Sequence, residues 1–220
     1  MKIVIQCAAK KQPNAGFMKD MRDRPVIFVA DPPNAPPNSQ IVYAKPDDAI
    51  EGRRTWREQV IEYNRNRVGN PLNLLPAYQL YANPAYRALV EKYRAENVFI
   101  LSAGWGLIGA EFLTPYYDIT FSPAAKGEDS YKRRRKADFY ADFCFLPEVC
   151  RDDLLFFGGK DYLPLFDRLT SSYAGKRHIF FNSSVAPSLG NGRAIRFHTS
   201  ARTNWHYECV NAFIEDRINL

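Results

Sequence analysis

The chain has 220 residues, of which 46% are apolar and 14% aromatic, and it carries a net charge of +6. This length is enough to bury a core without disulfides, and the positive charge favours a polyanionic partner such as a nucleic acid. The four cysteines and three histidines are too scattered to form a zinc-binding spacing. The sequence shows no secretory signal and no apolar run long enough to span a membrane, which predicts a cytoplasmic protein without a membrane partner.

In the first half of the chain, apolar runs alternate with proline-rich and polar segments. Lys2–Cys7 and Pro25–Ala30 are predicted strands. Asp31–Gln40 contains four prolines and is predicted to be an irregular loop. A helix is predicted over Arg54–Asn64, and a second helix is predicted to begin at Asn83-Pro84, because proline is favoured in a first helical turn.

The second half continues the alternation. Asn97–Leu101, Asp153–Gly159, Arg177–Ser184 and Gly192–His198 are predicted strands, most of them with the continuous apolar runs typical of parallel sheets. Three helices are predicted: Lys132–Phe145 with a basic start, Asp161–Leu169, and a last helix capped by Thr203.

This order of elements predicts an α/β fold. We expect residues 1–220 to form a single domain with a mainly parallel central sheet flanked by helices, and a loop and helical insertion at about 31–75. Ligands of such sheets bind at the carboxyl ends of the strands. A functional site is therefore predicted at the loops that follow the strands.

Four loops are expected to meet at that edge and to form a pocket for a flat polar ligand such as a nucleobase. Glycines allow a ligand to approach the backbone, aromatic rings can stack on a base, and charged or amide groups can contact its edge. Each residue also has a purely structural interpretation: Gly104 can shape a turn, Trp105 can fill the core, and Asp161 can cap a helix. The loops contain Lys10, Lys11, Gly104, Trp105, Glu111, Tyr116, Tyr117, Asp118, Lys160, Asp161, Tyr162, Asn182 and Ser183.

Five consecutive basic residues follow the central loop. They are Lys132, Arg133, Arg134, Arg135 and Lys136. The run is either a solvated helix face or a surface that contacts DNA phosphates, and its place on a basic chain favours DNA.

Three segments carry a resemblance to a known family: "CAAKK" after the first strand, "ILSAGWGLIGAEFLTPYYD" in the middle, and "LFFGGKDY" after it. Together they resemble the peroxide-stress YaaA proteins and a domain of archaeosine tRNA-guanine transglycosylases, a grouping that is similar in turn to the uracil-DNA glycosylase fold. The likeness covers residues 1–12 and about 85–165. Gly104-Trp105 stands where that grouping usually has Lys-Tyr.

The resemblance implies a uracil-DNA-glycosylase-like fold and a DNA glycosylase that removes a modified base, such as a hypermodified cytosine of bacteriophage DNA. Such a reaction needs a carboxylate near the sugar and donors at the leaving base. Asp118 is the first choice for the carboxylate, before Asp161 and Glu111. Other binding residues would be Lys10, Lys160 and Asn182 as donors to the leaving base or a phosphate, Gly104 for close approach, and Trp105, Tyr117 and Tyr162 for stacking. Neither a cofactor nor a metal is required.

Two other interpretations stay open at this point. The protein could be a non-catalytic nucleic-acid-binding stress protein that uses the same basic surface. It could also be a hydrolase or transferase that acts on a free nucleoside or nucleotide. The sequence contains neither a dinucleotide-binding glycine motif nor a phosphate-binding loop motif.

Overall fold

The computed structural model describes residues 1–50, 52, 54–66, 69–188, 190, 192–218 and 220. Its centre is a seven-stranded sheet, which confirms an α/β fold with a mostly parallel sheet. The strands of this sheet, in spatial order, are β11 (Phe143–Cys144), β9 (Gly106–Gly109), β8 (Val98–Ser102), β1 (Lys2–Gln6), β12 (Leu154–Phe157), β13 (Arg177–Phe181) and β14 (Gly192–Arg196).

The five strands from β8 to β14 run parallel to one another. β9 turns back antiparallel to β8, and β11 runs parallel to β9. The last two strands on this side therefore oppose the other five. This hairpin was not expected from the sequence, which favours a plain loop after β8.

Helices cover both faces of the central sheet, as predicted. The helices are α1 (Trp56–Arg65), α2 (Ala77–Leu80), α3 (Ala85–Tyr93), α4 (Leu163–Thr170) and α5 (Trp205–Ile214). Successive side chains of β12 point to opposite faces. Phe156 stacks on Phe166 of α4, with ring centroids 4.4 Å apart, while Phe157 lies 5.3 Å from Phe213 of α5.

Shorter strands form small sheets beside the main one. β2 (Met18–Lys19), β3 (Pro25–Phe28) and β4 (Val42–Ala44) form one, β5 (Ala49–Ile50) pairs with β6 (Arg54–Thr55), and β7 (Leu75–Pro76) pairs with β10 (Leu113–Thr114). Pro25–Ala30 is therefore a strand, but it lies outside the central sheet. The Pro-rich segment holds a short 3₁₀ helix at Pro32–Asn34.

Local sequence signals explain where the helices begin. Thr55 and Glu58 form a reciprocal capping box at the start of α1, with Glu58 N donating to Thr55 Oγ1 at 3.2 Å. The Asn83 side chain accepts from Ala85 N at 2.9 Å where α3 begins. Thr203 is not the cap of α5, because that position is occupied by Asn204 in the left-handed conformation.

The prediction of a helix over Lys132–Phe145 is wrong. A 3₁₀ helix spans Gly127–Lys132, and the chain then extends and pairs with Thr120, whose N donates to Lys132 O while Arg134 N donates to Thr120 O, both at 2.9 Å. Like charges three and four residues apart destabilise a helix. The backbone conformation of the basic run is therefore set by these long-range hydrogen bonds and not by the helical spacing of its apolar residues.

Candidate active site

The predicted convergence of four loops is confirmed. β8, β1, β12 and β13 are adjacent and parallel, so the loops that follow them lie at one edge of the sheet. Gln6 ties two of these loops together, because its Oε1 accepts from Gly159 N at 2.6 Å. Gly158 has no room for a side chain, since a Cβ there would lie 2.3 Å from the ring of Phe156.

A cleft lies at this edge and has two adjoining parts of about 610 and 680 Å³, which is within the usual size range of small-molecule sites. Gln6, Ser122, Tyr162 and Asn204 line both parts. The smaller part is formed mainly by the loop after β1 and the start of α3. The larger part is formed by the loops after β12 and β13 and by the start of α5.

The cleft brings together five of the predicted site residues: Lys10, Lys160, Asp161, Tyr162 and Asn182. Among the described lining residues, the cations are Lys10, Lys160 and Arg202, and the single acidic residue is Asp161. The cleft is therefore electropositive, with one carboxylate at the turn that leads into α4.

Two of these five side chains also make structural contacts. The Asn182 side-chain amide donates to Ala201 O at 3.1 Å, which links the loop after β13 to the segment before α5. Tyr162 is 7% exposed, and its Oη lies 3.3 Å from the Sγ of Cys7. Burial raises the pKa of Tyr162 well above its usual range, so its hydroxyl stays protonated. These contacts hold the cleft wall in place without a ligand.

The loop after β8 does not line the cleft, which corrects the expectation for Gly104, Trp105 and Tyr117. Trp105 and Tyr117 are fully buried, and the ring of Trp105 packs 5.0 Å from that of Phe28. Arg57 donates to the carbonyl oxygens of Gly104 and Trp105 at 3.0 and 3.1 Å. The β8–β9 hairpin turns Trp105 into the core, and Tyr117, which follows β10, is placed there by its backbone bridge to Phe28. Neither ring is available to stack on a base.

Asp118 and Glu111 are placed apart from the cleft. Asp118 Oδ2 forms an ion pair of 3.0 Å with Lys132, whose ammonium also lies 2.8 Å from Asp129. Burial opposes the charged form of Lys132, but its hydrogen bonds to Asp129 and Asp118 raise its pKa above the usual lysine range. Glu111 follows β9 and therefore lies toward the opposite edge of the sheet, near Phe99 and Phe112.

The basic run divides into buried and exposed members. Arg134 is 2% exposed; it forms two hydrogen bonds with Asp142, at 2.8 and 2.7 Å, and donates to Ala103 O at 2.8 Å. It is therefore a structural anchor and not a DNA-contacting residue as predicted. Arg133, Arg135 and Lys136 are exposed. The backbone of Arg133 forms a β-bridge with Thr120, which lines the cleft.

Lys11 has a role that the sequence did not distinguish from that of Lys10. Its side chain lies beneath the loop after β1, where the ammonium is 4.2 Å from the centre of the Tyr117 ring and donates to Ala9 O at 3.2 Å. Burial lowers the pKa of Lys11 below its usual value. Lys11 forms an antiparallel backbone bridge with Tyr81, which is far away in the sequence. Such a long-range contact cannot be predicted from the residues next to Lys11.

His206 is the second residue that sequence reasoning missed, because it lies within the apolar pattern of α5. It lines the larger part of the cleft, is 2% exposed, and its Nε2 has no hydrogen-bond partner among the described residues. Burial lowers its pKa to about 4, so the imidazole is neutral near pH 7. A neutral imidazole can donate or accept one hydrogen bond to a ligand.

The described part of the chain lacks two kinds of feature. It contains no group of three or more His, Cys, Asp or Glu side chains that could hold a metal ion. It also contains no helix that is long and apolar enough to cross a membrane.

Comparison with known proteins gives no relative: no family model, no curated protein and no solved structure matches this chain.

Proposed function

We propose that the protein is a DNA N-glycosylase that removes a modified base, with the cleft as its site and with a uracil-DNA-glycosylase-like fold. The observation that carries this proposal is the position of Asp161. It is the acidic residue in a cleft whose other charged lining residues, in the part of the chain described, are Lys10, Lys160 and Arg202. A phosphate-bearing ligand would be attracted to this cleft, and one carboxylate would remain to act on it.

Asp161 replaces Asp118 as the proposed catalytic carboxylate. Cleavage of an N-glycosidic bond builds positive charge on the sugar and negative charge on the leaving base. Asp161 would face the sugar, stabilise that positive charge and orient a water. The water oxygen bonds to the sugar carbon, its proton passes to the carboxylate, and the bond to the base breaks with its electron pair going to the base. Asp118 instead forms an ion pair with Lys132 and does not line the cleft.

Donors are needed where the base leaves. The sequence favours Lys10, Lys160 and Asn182 as donors to the leaving base or a phosphate, and all three line the cleft. The neutral imidazole of His206 adds a fourth group, in the larger part of the cleft with Lys160 and Asn182. A donor placed on the leaving base lowers the barrier because it stabilises charge that develops only in the transition state.

DNA rather than a free nucleotide is favoured by the charges beside the cleft. Arg133, Arg135 and Lys136 are exposed next to the segment that supplies Thr120 and Ser122 to the lining. A free nucleotide would need only the cleft, whereas a polymer passing across it would also contact these cations. The volume of the cleft also suits a hydrolase or transferase of free nucleotides, which is the second candidate.

The test is mass spectrometry of bases released from duplex and single-stranded DNA that contains ordinary or hypermodified cytosine. We expect release from modified DNA, and we expect Asp161→Asn to slow it by about 10²–10⁴-fold while DNA binding is retained. Asp118→Asn is the matched control and should keep most of the activity.

Three results would contradict this assignment. Full activity of Asp161→Asn with loss in Asp118→Asn would return the catalytic role to Asp118. Release from free nucleotides but not from DNA would favour the second candidate, and DNA binding without any release would favour a non-catalytic binding protein.

A further inference from the structure

The loop that follows the basic run exposes a phenylalanine. Phe139 is 87% exposed, although most other phenylalanines of the described chain are buried or half-buried. A single exposed apolar side chain is not by itself a sign of an interaction site, so its neighbours decide the interpretation. The surroundings of Phe139 indicate what kind of partner it contacts.

The loop that carries Phe139 is held firmly at its base. Arg134 bonds to Asp142 and stacks on the ring of Tyr140, with its guanidinium carbon 3.8 Å from the ring centre. Arg135 N donates to Asp138 Oδ2 at 2.7 Å, and Ala141 N donates to Asp47 Oδ2 at 3.2 Å. The residues on both sides of Phe139 are thus fixed, while its own side chain projects into solvent.

The exposed ring is accompanied by cations. Arg133, Arg135 and Lys136 are exposed in the same loop, whereas Arg134 is used within the fold. An aromatic ring among exposed cations is the combination that binds nucleic acids, because the cations contact phosphates while the ring stacks on a base. Three exposed cations in the same loop favour a polyanion over an apolar protein surface as the partner.

The loop also lies at the edge of the sheet where the cleft opens. Arg134 bonds to Ala103 O, directly after β8, and Arg133 bridges to Thr120 in the cleft wall. DNA that places a nucleotide in the cleft would therefore pass over this loop.

We propose that Phe139 stacks on a nucleobase of the bound DNA, next to the nucleotide held in the cleft, while Arg133, Arg135 and Lys136 contact the adjacent phosphates. This inference rests on the proposed DNA substrate. Phe139 would thus add a stacking residue to the exposed cations of this surface.

The experiment measures binding without catalysis, using Asp161→Asn protein and DNA that carries 2-aminopurine beside the modified base, as duplex and as single strand. We expect Phe139→Ala to lower the affinity about tenfold, to abolish the change in 2-aminopurine fluorescence, and to leave the salt dependence unchanged. Phe139→Trp should restore both the affinity and the fluorescence change. The triple alanine variant of Arg133, Arg135 and Lys136 should instead flatten the salt dependence.

Val149→Ala is the matched control, because Val149 is 95% exposed and its replacement removes a similarly exposed apolar side chain. Affinity and fluorescence of Phe139→Ala that equal those of Val149→Ala would overturn the proposal. So would a Phe139→Ala variant that changes only self-association in light scattering, since the ring would then be a protein contact. Base release is measured separately, so DNA binding that depends on Phe139 but lacks release would contradict only the glycosylase assignment.

Discussion

The loops that follow β8 and β12 lie at the same edge of the sheet, on either side of β1, and differ in what surrounds them. Both strands are fully buried, and both are followed by glycine and an aromatic residue. Trp105, after β8, has no exposed surface, while Lys160 and Asp161, after β12, line the cleft.

The difference arises from the element that comes next. β8 is followed by an antiparallel strand, which folds the loop back over the sheet and against Phe28 and Arg57. β12 is followed by α4, which leaves toward one face and keeps the loop at the open edge. The two glycine-containing loops therefore have different roles: the loop after β8 fills the core, and the loop after β12 forms part of the cleft wall.

The largest effect that tests this comparison is on stability. Trp105→Ala should lower the free energy of unfolding by about 3–5 kcal/mol, because it removes a fully buried indole and leaves a cavity. Urea denaturation followed by circular dichroism measures the loss. Trp105→Phe should lose less and keep base release. A loss below about 1 kcal/mol for Trp105→Ala would mean that the ring is not a core residue.

Only part of this difference between the two loops can be predicted from the sequence. Apolar runs and their order predict the sheet, its mostly parallel strands and the edge at which the loops meet, because period and alternation are local signals. Whether "GWGLIG" continues as a strand or a loop depends on partners far away in the chain, such as Arg57 and Phe143. Arg133 and Arg134 are also indistinguishable from the local sequence. Arg134 is buried because Asp142 and Ala103 O accept its hydrogen bonds, whereas Arg133 is exposed.

An intermediate effect is expected from His206, which lies in the cleft wall and yet is buried. Its pKa is about 4 in the folded protein, against about 6.5 for an ordinary histidine, so the unfolded chain binds more protons between these values. Stability is therefore complete above about pH 7 and falls as the pH drops from 6.5 to 4, by about 3 kcal/mol in total from this residue.

Chemical denaturation at several pH values measures this slope. His206→Gln should flatten it between pH 6.5 and 4, while His198→Gln, at an exposed position, should leave it unchanged. An equal slope in His206→Gln would mean that other groups cause the acid sensitivity. Because His206 lines the cleft, its replacement should also weaken ligand binding near pH 7, which Trp105→Phe should not do.

The smallest effect on stability, and the sharpest contrast with Trp105, is expected at Lys160. Its side chain is exposed in the loop after β12, so Lys160→Ala should change the free energy of unfolding by less than about 0.5 kcal/mol. If Lys160 contacts a phosphate of bound DNA, the same variant should reduce the slope of log affinity against log salt by about 0.9. Lys176→Ala, also exposed but at the amino end of β13, should leave that slope unchanged. Equal slopes for both variants would mean that Lys160 does not contact a phosphate of bound DNA.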